Sequence, residues 1–411
     1  MRRLFSRRAL RHLIVSLSLW GLTANPAAVQ ADRLAAPPAP IGQEFVIAQQ
    51  AGDLYRPAVA GHMIVWYGPS PTGAGIFGLS LNADGSLGDK PILIANGPGS
   101  RAVPSIAANP DGGYLVVWHE RRSGSYDIYA RYLDANGQPQ GDAFAVSVAK
   151  GDQLRPAAVY VPAAKTYFVV WQDGRSGSQT DLYARQVPLA GGAQNLTTPE
   201  VAISQAPGYQ LIPAITCESD QPRCLIVWQQ SFNLLQLATD VIGQVIDVTT
   251  GKALGADIVV ASGGGYQRAP DAIYNPVTSE YLVVWNDDIT ARRVSRSGQL
   301  VGSKIPISID SPYQYKPAVS VAPDGSYLIV WEDLRNSRTR GADIYGQYLS
   351  AAGAPLGHNI ALSSHTSNQY SPALVIAQNN GQVAFLAIWE DDEVNRTRLD
   401  LRGVWLTAGG K

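Results

Sequence analysis

Two residues recur along this chain at a regular spacing, and their recurrence limits what the chain can fold into. A proline that opens one short apolar run and a tryptophan that closes the next each occur seven times, at intervals of roughly 50 residues. The prolines are Pro57, Pro104, Pro156, Pro213, Pro270, Pro317 and Pro372, and the tryptophans are Trp66, Trp118, Trp171, Trp228, Trp285, Trp331 and Trp389. Self-similarity at this period, with Gly, Pro, Asn and Asp between the apolar runs, indicates a β-propeller or a solenoid.

Each repeat contains four strand-like runs, which are clearest in the second repeat. They begin at Pro104, Tyr114, Asp127 and Ala143, and the segments between them carry the Gly, Pro and Asx residues of turns. Four antiparallel strands make one propeller blade. The second run is almost wholly apolar, which predicts burial on both faces, and its tryptophan is predicted to pack between neighbouring blades.

The two ends of the chain predict how the ring closes. Residues 44–48 match the fourth run of a repeat without the first three, whereas the repeat that begins at Pro372 supplies three runs and no fourth. We therefore predict an all-β, seven-bladed propeller with four antiparallel strands per blade. Its closing blade combines one N-terminal strand with three C-terminal strands, which leaves no free sheet edge between the termini.

Residues 1–31 have the pattern of an export signal. A basic region is followed by an apolar stretch at residues 13–24 and a small-residue cleavage site at residues 29–31. Arg7 and Arg8 lie in a short match to a twin-arginine export motif, and an ordinary secretory signal is the other interpretation. We predict a linker at residues 32–43, a single propeller domain at residues 44–411, and an exported location that is periplasmic, secreted or at the cell surface.

Charge and hydropathy argue against two kinds of partner. Loss of residues 1–31 removes five of the 32 basic residues and no acid, which leaves 27 basic against 33 acidic residues and a formal charge near −6. We expect no nucleic-acid partner, because phosphate binding needs a concentrated positive surface. No second long apolar segment follows the signal, so we expect no membrane span in the mature chain.

The only two cysteines are seven positions apart in the fourth repeat. Cys217 and Cys224 flank the predicted turn between its first two strands, where they can face each other across a hairpin. Because an exported chain meets an oxidising compartment, we predict a disulfide. A two-cysteine metal site is the alternative, but no histidine lies nearby to complete it. We expect no metal and no cofactor.

A combination of local motifs resembles a known group of propellers. Pro-Asp-Gly at residues 110–112 and 323–325 precedes an apolar strand that ends in an aromatic residue; an acidic-basic loop such as residues 333–335 and then Asp-Ile-Tyr at residues 343–345 follow. This combination resembles the PD40/WD40-like repeats of TolB-type and peptidase-gating propellers over nearly all of the mature chain. The resemblance implies the propeller fold and, since fold does not determine function, no particular activity.

The most variable segments lie before the marker prolines. We call the four residues before each of these prolines an approach loop, and we predict that these loops and the loops after the tryptophans surround one mouth of the central channel. Their aromatic and cationic groups suit sugars or peptide segments; amphipathic residues that merely cap an exposed rim are the alternative. The candidate binding residues are Tyr55, Arg56, Arg155, Tyr209, Tyr266, Arg268, Tyr313, Tyr315, Lys316 and Tyr370.

Polar residues that recur in most repeats are interpreted as structural. A glutamine three residues before the proline is predicted to bond to the adjacent blade, and an acidic residue followed by an arginine is predicted to form a solvated turn. The glutamines are Gln153, Gln210, Gln267, Gln314 and Gln369, and the acidic residues are Glu120, Asp173, Asp333 and Asp391. The aspartates of the Asp-Ile-Tyr or Asp-Leu-Tyr segments, Asp127, Asp181 and Asp343, are interpreted in the same way.

Two repeats depart from the pattern after their tryptophan. The fourth has an apolar loop with Phe232, Leu234 and Leu235 as candidate contact residues, and the fifth has a shortened loop at residues 286–288. An exposed apolar loop beside a notch would make an interaction surface. A loop folded over its short neighbour is the alternative.

The sequence favours binding over catalysis. It contains no glycine-rich phosphate loop, no HExxH and no GxSxG. The leading hypothesis is an exported, monomeric binding or scaffold module that contacts protein or glycan through the loop face at the channel mouth. The alternative is a secreted glycoside hydrolase or lyase at that mouth, which needs two converging carboxylates that the other blades lack.

Overall fold

Antiparallel sheet dominates the part of the chain that the structure describes. The computed structural model describes residues 39–232, 238–263, 265–309, 313–339, 341–363, 365–392 and 398–408. The described residues form 29 strands in seven antiparallel sheets, with two short 3₁₀ turns at Pro162–Ala164 and Ala193–Asn195. This confirms the predicted all-β, seven-bladed propeller. The predicted export signal at residues 1–31 lies outside the described residues.

The strands are numbered in chain order and the blades in the order of their marker prolines. Blade 1 contains β2 (Tyr55–Ala60), β3 (Met63–Ser70), β4 (Gly73–Ser80) and β5 (Ile92–Ala95); blade 2 contains β6 (Ser100–Ala108), β7 (Tyr114–Ser123), β8 (Ser125–Leu133) and β9 (Pro139–Ser147). Blade 3 contains β10 (Gln153–Val161), β11 (Thr166–Asp173), β12 (Asp181–Val187) and β13 (Val201–Ser204). Blade 4 contains β14 (Tyr209–Cys217), β15 (Arg223–Ser231), β16 (Thr239–Asp247), β17 (Lys252–Ala253) and β18 (Ile258–Ala261). Blade 5 contains β19 (Arg268–Asn275), β20 (Glu280–Asn286), β21 (Thr290–Ser295) and β22 (Leu300–Pro306). Blade 6 contains β23 (Gln314–Val321), β24 (Tyr327–Asp333), β25 (Asp343–Leu349) and β26 (Pro355–Ala361). Blade 7 contains β27 (Gln369–Asn379), β28 (Gln382–Asp391), β29 (Asp400–Thr407) and β1 (Pro40–Ala48).

Blade 7 joins the two ends of the described chain, as predicted. Strand β1 pairs with β29, and β28 and β27 complete the sheet. The strand begins at Pro40 and not at residue 44, because Pro40 and Ile41 pair with Leu406 and Trp405. A register shift between Ile41 and Phe45 separates these pairs from the rest of the strand. That irregularity hides the first residues from a search for a regular strand pattern.

The marker proline and the marker tryptophan face each other across a bulge. In blade 6, Tyr315 pairs with Glu332 and Ala318 pairs with Val330, so Lys316 and Pro317 both oppose the tryptophan. All seven blades have this register shift at the same place. A bulge of this kind leaves one residue outside the hydrogen-bonded ladder, which tolerates proline because proline has no N–H to contribute.

The seven tryptophans are fully buried between blades, as predicted. Trp118 of blade 2 belongs to a core cluster with Val65 and Ile94 of blade 1, and Trp171 of blade 3 packs with Val117 of blade 2 in the next cluster. Each burial removes on the order of 200 Å² of side chain from water. The recurrent tryptophan therefore holds the blades together and is not available to a ligand.

The fourth blade carries the predicted disulfide. Cys217 and Cys224 are directly opposed in the β14–β15 hairpin, with their Cα atoms 4.0 Å apart, and their sulfurs are bonded. The bond closes the hairpin end that lies far from the approach loops. Among the described residues, no helix has the length and apolar character needed to cross a membrane.

Candidate functional site

The first strands of the seven blades surround a central cavity of about 800 Å³. Its lining includes at least one residue from the bulge of every blade, and the approach loops meet the loops after the tryptophans at its mouth. The pairing register places them on one face: Tyr55 opposes Tyr67, and Gln314 opposes Asp333. The predicted grouping of these two sets of loops is therefore confirmed.

The residue before each marker proline adopts a left-handed backbone conformation. These residues are Arg56, Val103, Arg155, Ile212, Ala269, Lys316 and Ser371, with φ between 45° and 51°. A positive φ is uncommon outside glycine and is rare for a β-branched residue such as Val103 or Ile212. The conformation belongs to the bulge, and it turns the side chain at this position towards the channel, where all seven residues line the cavity.

In five blades the freed N–H of the bulge residue donates to a side chain of the preceding blade. The acceptor is the residue that follows the tryptophan there. Glu390 Oε1 accepts from Arg56 N–H at 2.8 Å, Gln172 Oε1 accepts from Ile212 N–H at 2.8 Å, His119 Nδ1 accepts from Arg155 N–H at 3.4 Å, Gln229 Oε1 accepts from Ala269 N–H at 3.5 Å, and Glu332 Oε2 accepts from Ser371 N–H at 3.5 Å.

Sequence reasoning missed this ring of polar residues. The residue after the tryptophan differs from blade to blade, being Tyr67 in blade 1, His119 in blade 2 and Asn286 in blade 5. A search for recurrent residue types passes over such a position. The available signal was a polar residue at the end of an otherwise apolar strand, repeated in nearly every blade.

The structure divides the ten candidate binding residues into two groups. Five line the cavity: Arg56, Arg155, Arg268, Tyr315 and Lys316. The other five, which we call the rim tyrosines, do not line the cavity and lie at or just before the start of the first strand of their blade: Tyr55, Tyr209, Tyr266, Tyr313 and Tyr370. Tyr266 and Tyr313 are the most exposed of the rim tyrosines, at 50% and 58%. Their role in binding stays a prediction.

Tyr55 is held in place by its neighbours. Its ring stacks on Tyr67 at 5.2 Å between centroids, and its hydroxyl donates to Asp53 Oδ2 at 2.9 Å. Burial and this carboxylate raise the pKa of Tyr55 to about 12. The phenol therefore stays neutral, and the ring is held in one position by these two contacts.

The cations in the channel differ in how they are paired. Lys316 lies 3.4 Å from Glu332 and donates to Ser371 Oγ at 3.0 Å, and the Arg268 guanidinium lies 4.4 Å from the centre of the Tyr266 ring. Burial raises the pKa of Glu332, an effect that Lys316 opposes. Arg56 and Arg155, which come from blades 1 and 3, have no side-chain hydrogen bond or ion pair within the described part of the chain.

A second residue that sequence reasoning missed is Asp271. It follows the marker proline of blade 5, where the other blades have alanine or serine, and it lines the cavity. Burial raises its pKa to about 6, although its oxygens accept from Val319 N–H at 3.0 Å and from Ala272 N–H at 2.9 Å. Comparison of the seven copies position by position would have singled it out.

The recurrent glutamines are structural, and two of them bond to the adjacent blade as predicted. Gln314 Nε2 donates to Ser308 Oγ at 2.7 Å, and Gln369 Oε1 accepts from the Ser363 hydroxyl at 2.8 Å; these serines follow the outer strands of blades 5 and 6. Gln369 Nε2 donates to Ser367 O at 2.7 Å and to Asp391 Oδ2 at 3.3 Å, and Gln314 Nε2 donates to Asp333 Oδ2 at 3.0 Å. These two amides thus also tie their own approach loop to the second strand of their own blade. The reason is the register, which places the glutamine directly opposite the acidic residue.

The recurrent acidic residues are structural but buried, which corrects the prediction of a solvated turn. Asp173 accepts from Trp171 Nε1 at 2.8 Å and from Arg175 Nη2 at 2.7 Å, and the Arg175 guanidinium lies 3.8 Å from the centre of the Tyr183 ring. Asp333 makes the same contacts in blade 6 and Glu120 makes them in blade 2. Each of these carboxylates is fully buried beneath an indole and a guanidinium, so it is not accessible to a substrate.

The loops that break the repeat are only partly described. Phe232 is 68% exposed beside the channel mouth, whereas Leu234 and Leu235 lie outside the described residues. In blade 5 the shortened loop runs from the end of β20 at Asn286 to the start of β21 at Thr290, and Gln267 Nε2 donates to Asp287 Oδ2 within it at 3.1 Å. Among the described side chains, no group of three or more His, Cys, Asp or Glu is placed to hold a metal ion.

Comparisons with known proteins support the fold. No protein-family model matches the chain, and no curated protein matches it by sequence. A protein of unknown function from Dyadobacter fermentans is similar in structure, with a TM-score of 0.55 and 11% identity over 91% of this chain and 100% of that one. The WD40 domain of coronin from Toxoplasma gondii has a TM-score of 0.54 and 11% identity over 91% and 87% of the two chains. The propeller domain of Cps50 (Swd1) from Myceliophthora thermophila has a TM-score of 0.51 and 11% identity over 89% and 100%. The chain thus shares the β-propeller fold with WD40 and other propeller domains.

Proposed function

We propose that this chain is an exported binding module whose ligand, a glycan or a segment of protein, enters the mouth of the central channel. One observation carries the proposal. The residues that most blades share, namely the tryptophan, the acidic residue and the glutamine, are buried in contacts that hold the ring together. The side chains at the cavity wall, by contrast, differ from blade to blade.

The wall of the channel has the composition of a binding site. It combines cations with the amides of Gln229 and Asn286 and with apolar proline and alanine surface. Concave sites with a few directed polar groups on an apolar wall are typical of ligand pockets. The exposed rim tyrosines extend this surface outwards and offer flat faces for sugar rings or for a peptide.

Export is the second part of the proposal. It rests on the signal-like pattern of residues 1–31 and on the disulfide between Cys217 and Cys224, which is the kind of bond that persists in an oxidising compartment. We propose further that the module acts as a monomer. Sizing of the purified chain by light scattering tests this, and a stable dimer would contradict it.

The experiment fills the channel and asks whether binding is lost. The protein is applied to arrays of glycans and of peptides, and the best ligand is then measured with Ala269→Tyr, which places a large side chain at a bulge that faces the cavity. Arginine and isoleucine occupy the same position in other blades, so the backbone accepts a large residue there. We expect this variant to lose most of its binding.

Val277→Tyr is the matched control. Val277 is exposed in the hairpin turn between β19 and β20, at the opposite end of blade 5 from the approach loops, so we expect this variant to bind as the wild type does. Equal binding by both variants would place the site outside the channel. Retention of no ligand on either array would contradict the proposed function itself.

The rim is tested separately with Tyr266→Ala and Tyr313→Ala. Because both side chains are exposed, each substitution removes a contact surface without opening the core. If the ligand touches the rim, each should weaken binding several-fold. Unchanged binding in both variants would limit the site to the channel.

A glycoside hydrolase or lyase is the second candidate, and two carboxylates favour it. Asp271 and Glu332 line the same cavity, and burial raises the pKa of both. Against this, Asp271 already accepts two backbone N–H groups and Glu332 is engaged by Lys316 and by Ser371 N–H. A general acid must present its proton to the substrate. Release of reducing ends from an array ligand, abolished in Asp271→Asn and Glu332→Gln, would favour the enzyme over the binding module.

A further inference from the structure

Two arginines occupy the same repeat position on one wall of the channel. Arg56 and Arg155 are the bulge residues of blades 1 and 3, and Val103 of blade 2 lies between them in the ring. The corresponding residues of the other blades include Ile212 and Ala269, so the bulge does not require a cation. Their presence on this wall calls for an explanation other than the fold.

Neither guanidinium is matched by a carboxylate in the described part of the chain. The Glu390 side chain is occupied by the backbone N–H of Arg56 at 2.8 Å, and the His119 ring accepts from the backbone N–H of Arg155 at 3.4 Å. Across the channel, by contrast, Lys316 is paired with Glu332 at 3.4 Å. The wall formed by blades 1–3 therefore carries two cations whose guanidinium groups remain available.

The two cations also disfavour each other. Burial lowers the pKa of Arg155, and the charge of Arg56 lowers it further. Burial raises the pKa of the Tyr67 phenol, and both guanidinium groups oppose this shift. Burial and the charge of Arg155 lower the pKa of His119 to about 4, so this ring is neutral at physiological pH. Like charges held together without a counter-ion cost stability in the free protein, and a bound anion relieves that cost.

We infer that Arg56 and Arg155 form an oxyanion subsite that binds the carboxylate or sulfate group of an acidic sugar residue in a ligand that occupies the channel. A guanidinium offers parallel N–H donors that match the two oxygens of such a group. This inference rests on the proposed function, since it names the ligand class of the same channel.

The rest of the channel favours a sugar over an acidic peptide. Gln229 and Asn286 supply amides, Ser371 supplies a hydroxyl, and Asp271 and Glu332 supply carboxylate oxygens, so the wall carries both donors and acceptors. Sugar hydroxyls both donate and accept, which this lining satisfies. Tyr315, at the edge of the cavity, adds an aromatic face on which a sugar ring can stack.

The test uses calorimetric titration of the full chain with four probes: a short oligouronate, its carboxyl-reduced neutral counterpart, a sulfated oligosaccharide of the same length, and an acidic peptide. We expect the oligouronate or the sulfated sugar to bind at least about tenfold more tightly than the neutral sugar, since a hydrogen bond to a charged group contributes a factor of about 10 to 100. A preference between the first and third probes tells whether the group is a carboxylate or a sulfate.

Arg56→Gln and Arg155→Gln should each weaken binding of the acidic sugar about tenfold or more and leave binding of the neutral sugar unchanged. Lys90→Gln is the control, because it removes the same charge from an exposed residue between β4 and β5, at the end of blade 1 away from the approach loops. Thermal stability provides a second measurement. Arg155→Gln should melt at or above the wild-type temperature, since it removes a cation that burial and Arg56 disfavour, whereas a structural arginine would lower the melting temperature.

The outcomes separate this inference from the proposed function. Equal affinity for acidic and neutral sugars, or unchanged binding in both arginine variants, overturns the oxyanion subsite and leaves the channel as a binding site. Binding of the acidic peptide but of no sugar overturns the assignment to sugars. Failure to bind any of the four probes overturns the oxyanion subsite, while the array experiment with Ala269→Tyr still decides the proposed function.

Discussion

Asp271 carries a carboxylate where the other six blades have alanine or serine. The channel wall removes most of its contact with water, which disfavours the charged form, while two backbone N–H groups favour it. In blade 2, Ser105 Oγ occupies the same place and accepts from Ala158 N–H at 3.1 Å. A hydroxyl thus makes the same contact with the next blade without a charge, so the carboxylate at Asp271 is not needed to hold the blades together.

The raised pKa of Asp271 predicts a dependence of stability on pH. Because the folded-state pKa of about 6 lies above the ordinary aspartate pKa of 3.8, the native state binds the proton more tightly than the unfolded chain does. The stabilisation from this proton is complete below the unfolded pKa and is lost as the pH rises through 6. Between these limits the free energy of unfolding should fall by about 1–2 kcal/mol relative to Asp271→Asn, after allowance for screening by channel water.

Urea unfolding of wild type and Asp271→Asn at several pH values measures this difference. The two curves should converge at low pH and separate as the pH rises through 6. Parallel curves across the whole range would show that Asp271 titrates as an ordinary solvated carboxylate.

The bulge is the element that gives the ring its inner surface. It places a left-handed residue before each proline, although a residue before proline ordinarily prefers an extended conformation. Local sequence therefore points away from the observed backbone, and no single copy predicts it. Pairing between the first and second strands imposes the conformation, and the hydrogen bond to the preceding blade offsets part of its cost.

The strain at the bulge predicts that a residue suited to the left-handed region stabilises the protein. Val103 has φ of 51°, and for a residue with a Cβ this conformation costs about 1–2 kcal/mol. Asparagine tolerates it better, so Val103→Asn should raise the free energy of unfolding by up to about 1 kcal/mol. Chemical denaturation followed by tryptophan fluorescence measures the change.

Val259→Asn is the control, because Val259 lies on the outer strand β18 with ordinary extended geometry and is partly exposed. Asparagine is a poor strand residue, so this variant should be neutral or less stable. Equal destabilisation of both variants would mean that the left-handed conformation is not strained at Val103.

The sequence predicts which residues of a blade are structural, but it does not predict which of them are buried. Recurrence correctly marked the tryptophan, the acidic residue and the glutamine as structural. Burial of Asp173 depends on its contacts with Trp171 and Arg175 and on the packing of Arg175 against Tyr183. Only the pairing of β11 with β12 brings these groups together. A charged residue in a loop after a strand otherwise indicates an exposed turn.

At the scale of the whole molecule, ring closure was predictable and the site was predictable only in part. Closure follows from an unmatched strand at each end of the repeat array, which the sequence displays directly. The site is assembled from Arg56, Arg155, Asp271 and Glu332, which come from four blades and are separated by scores of residues in the chain. Comparison of the repeats singled out Arg56 and Arg155, but only the ring brings them to the same cavity as Asp271 and Glu332.

Closure predicts a sharp effect of removing β1. A chain of residues 49–411 lacks the partner of β29 and exposes its unpaired edge, whereas a chain of residues 36–411 keeps the strand. The shorter chain should unfold at lower urea and should associate through the exposed edge, because an open strand edge pairs with other chains. Light scattering and urea unfolding on both chains measure this. Two monomers of equal stability would contradict the role of β1 as the closing strand.

The pairing of β1 with β29 also sets an order of events during biosynthesis. Ala39 N–H donates to Thr407 Oγ1 across a separation of 368 residues, so β1 cannot find its partner until β29 has been synthesised. Contacts of such long range form slowly, because a large loop must close before they contribute. The ring therefore cannot complete its fold before β29 has been made. If the chain is exported as proposed, this delay keeps the ring open until β29 is available on the side of the membrane where the chain folds.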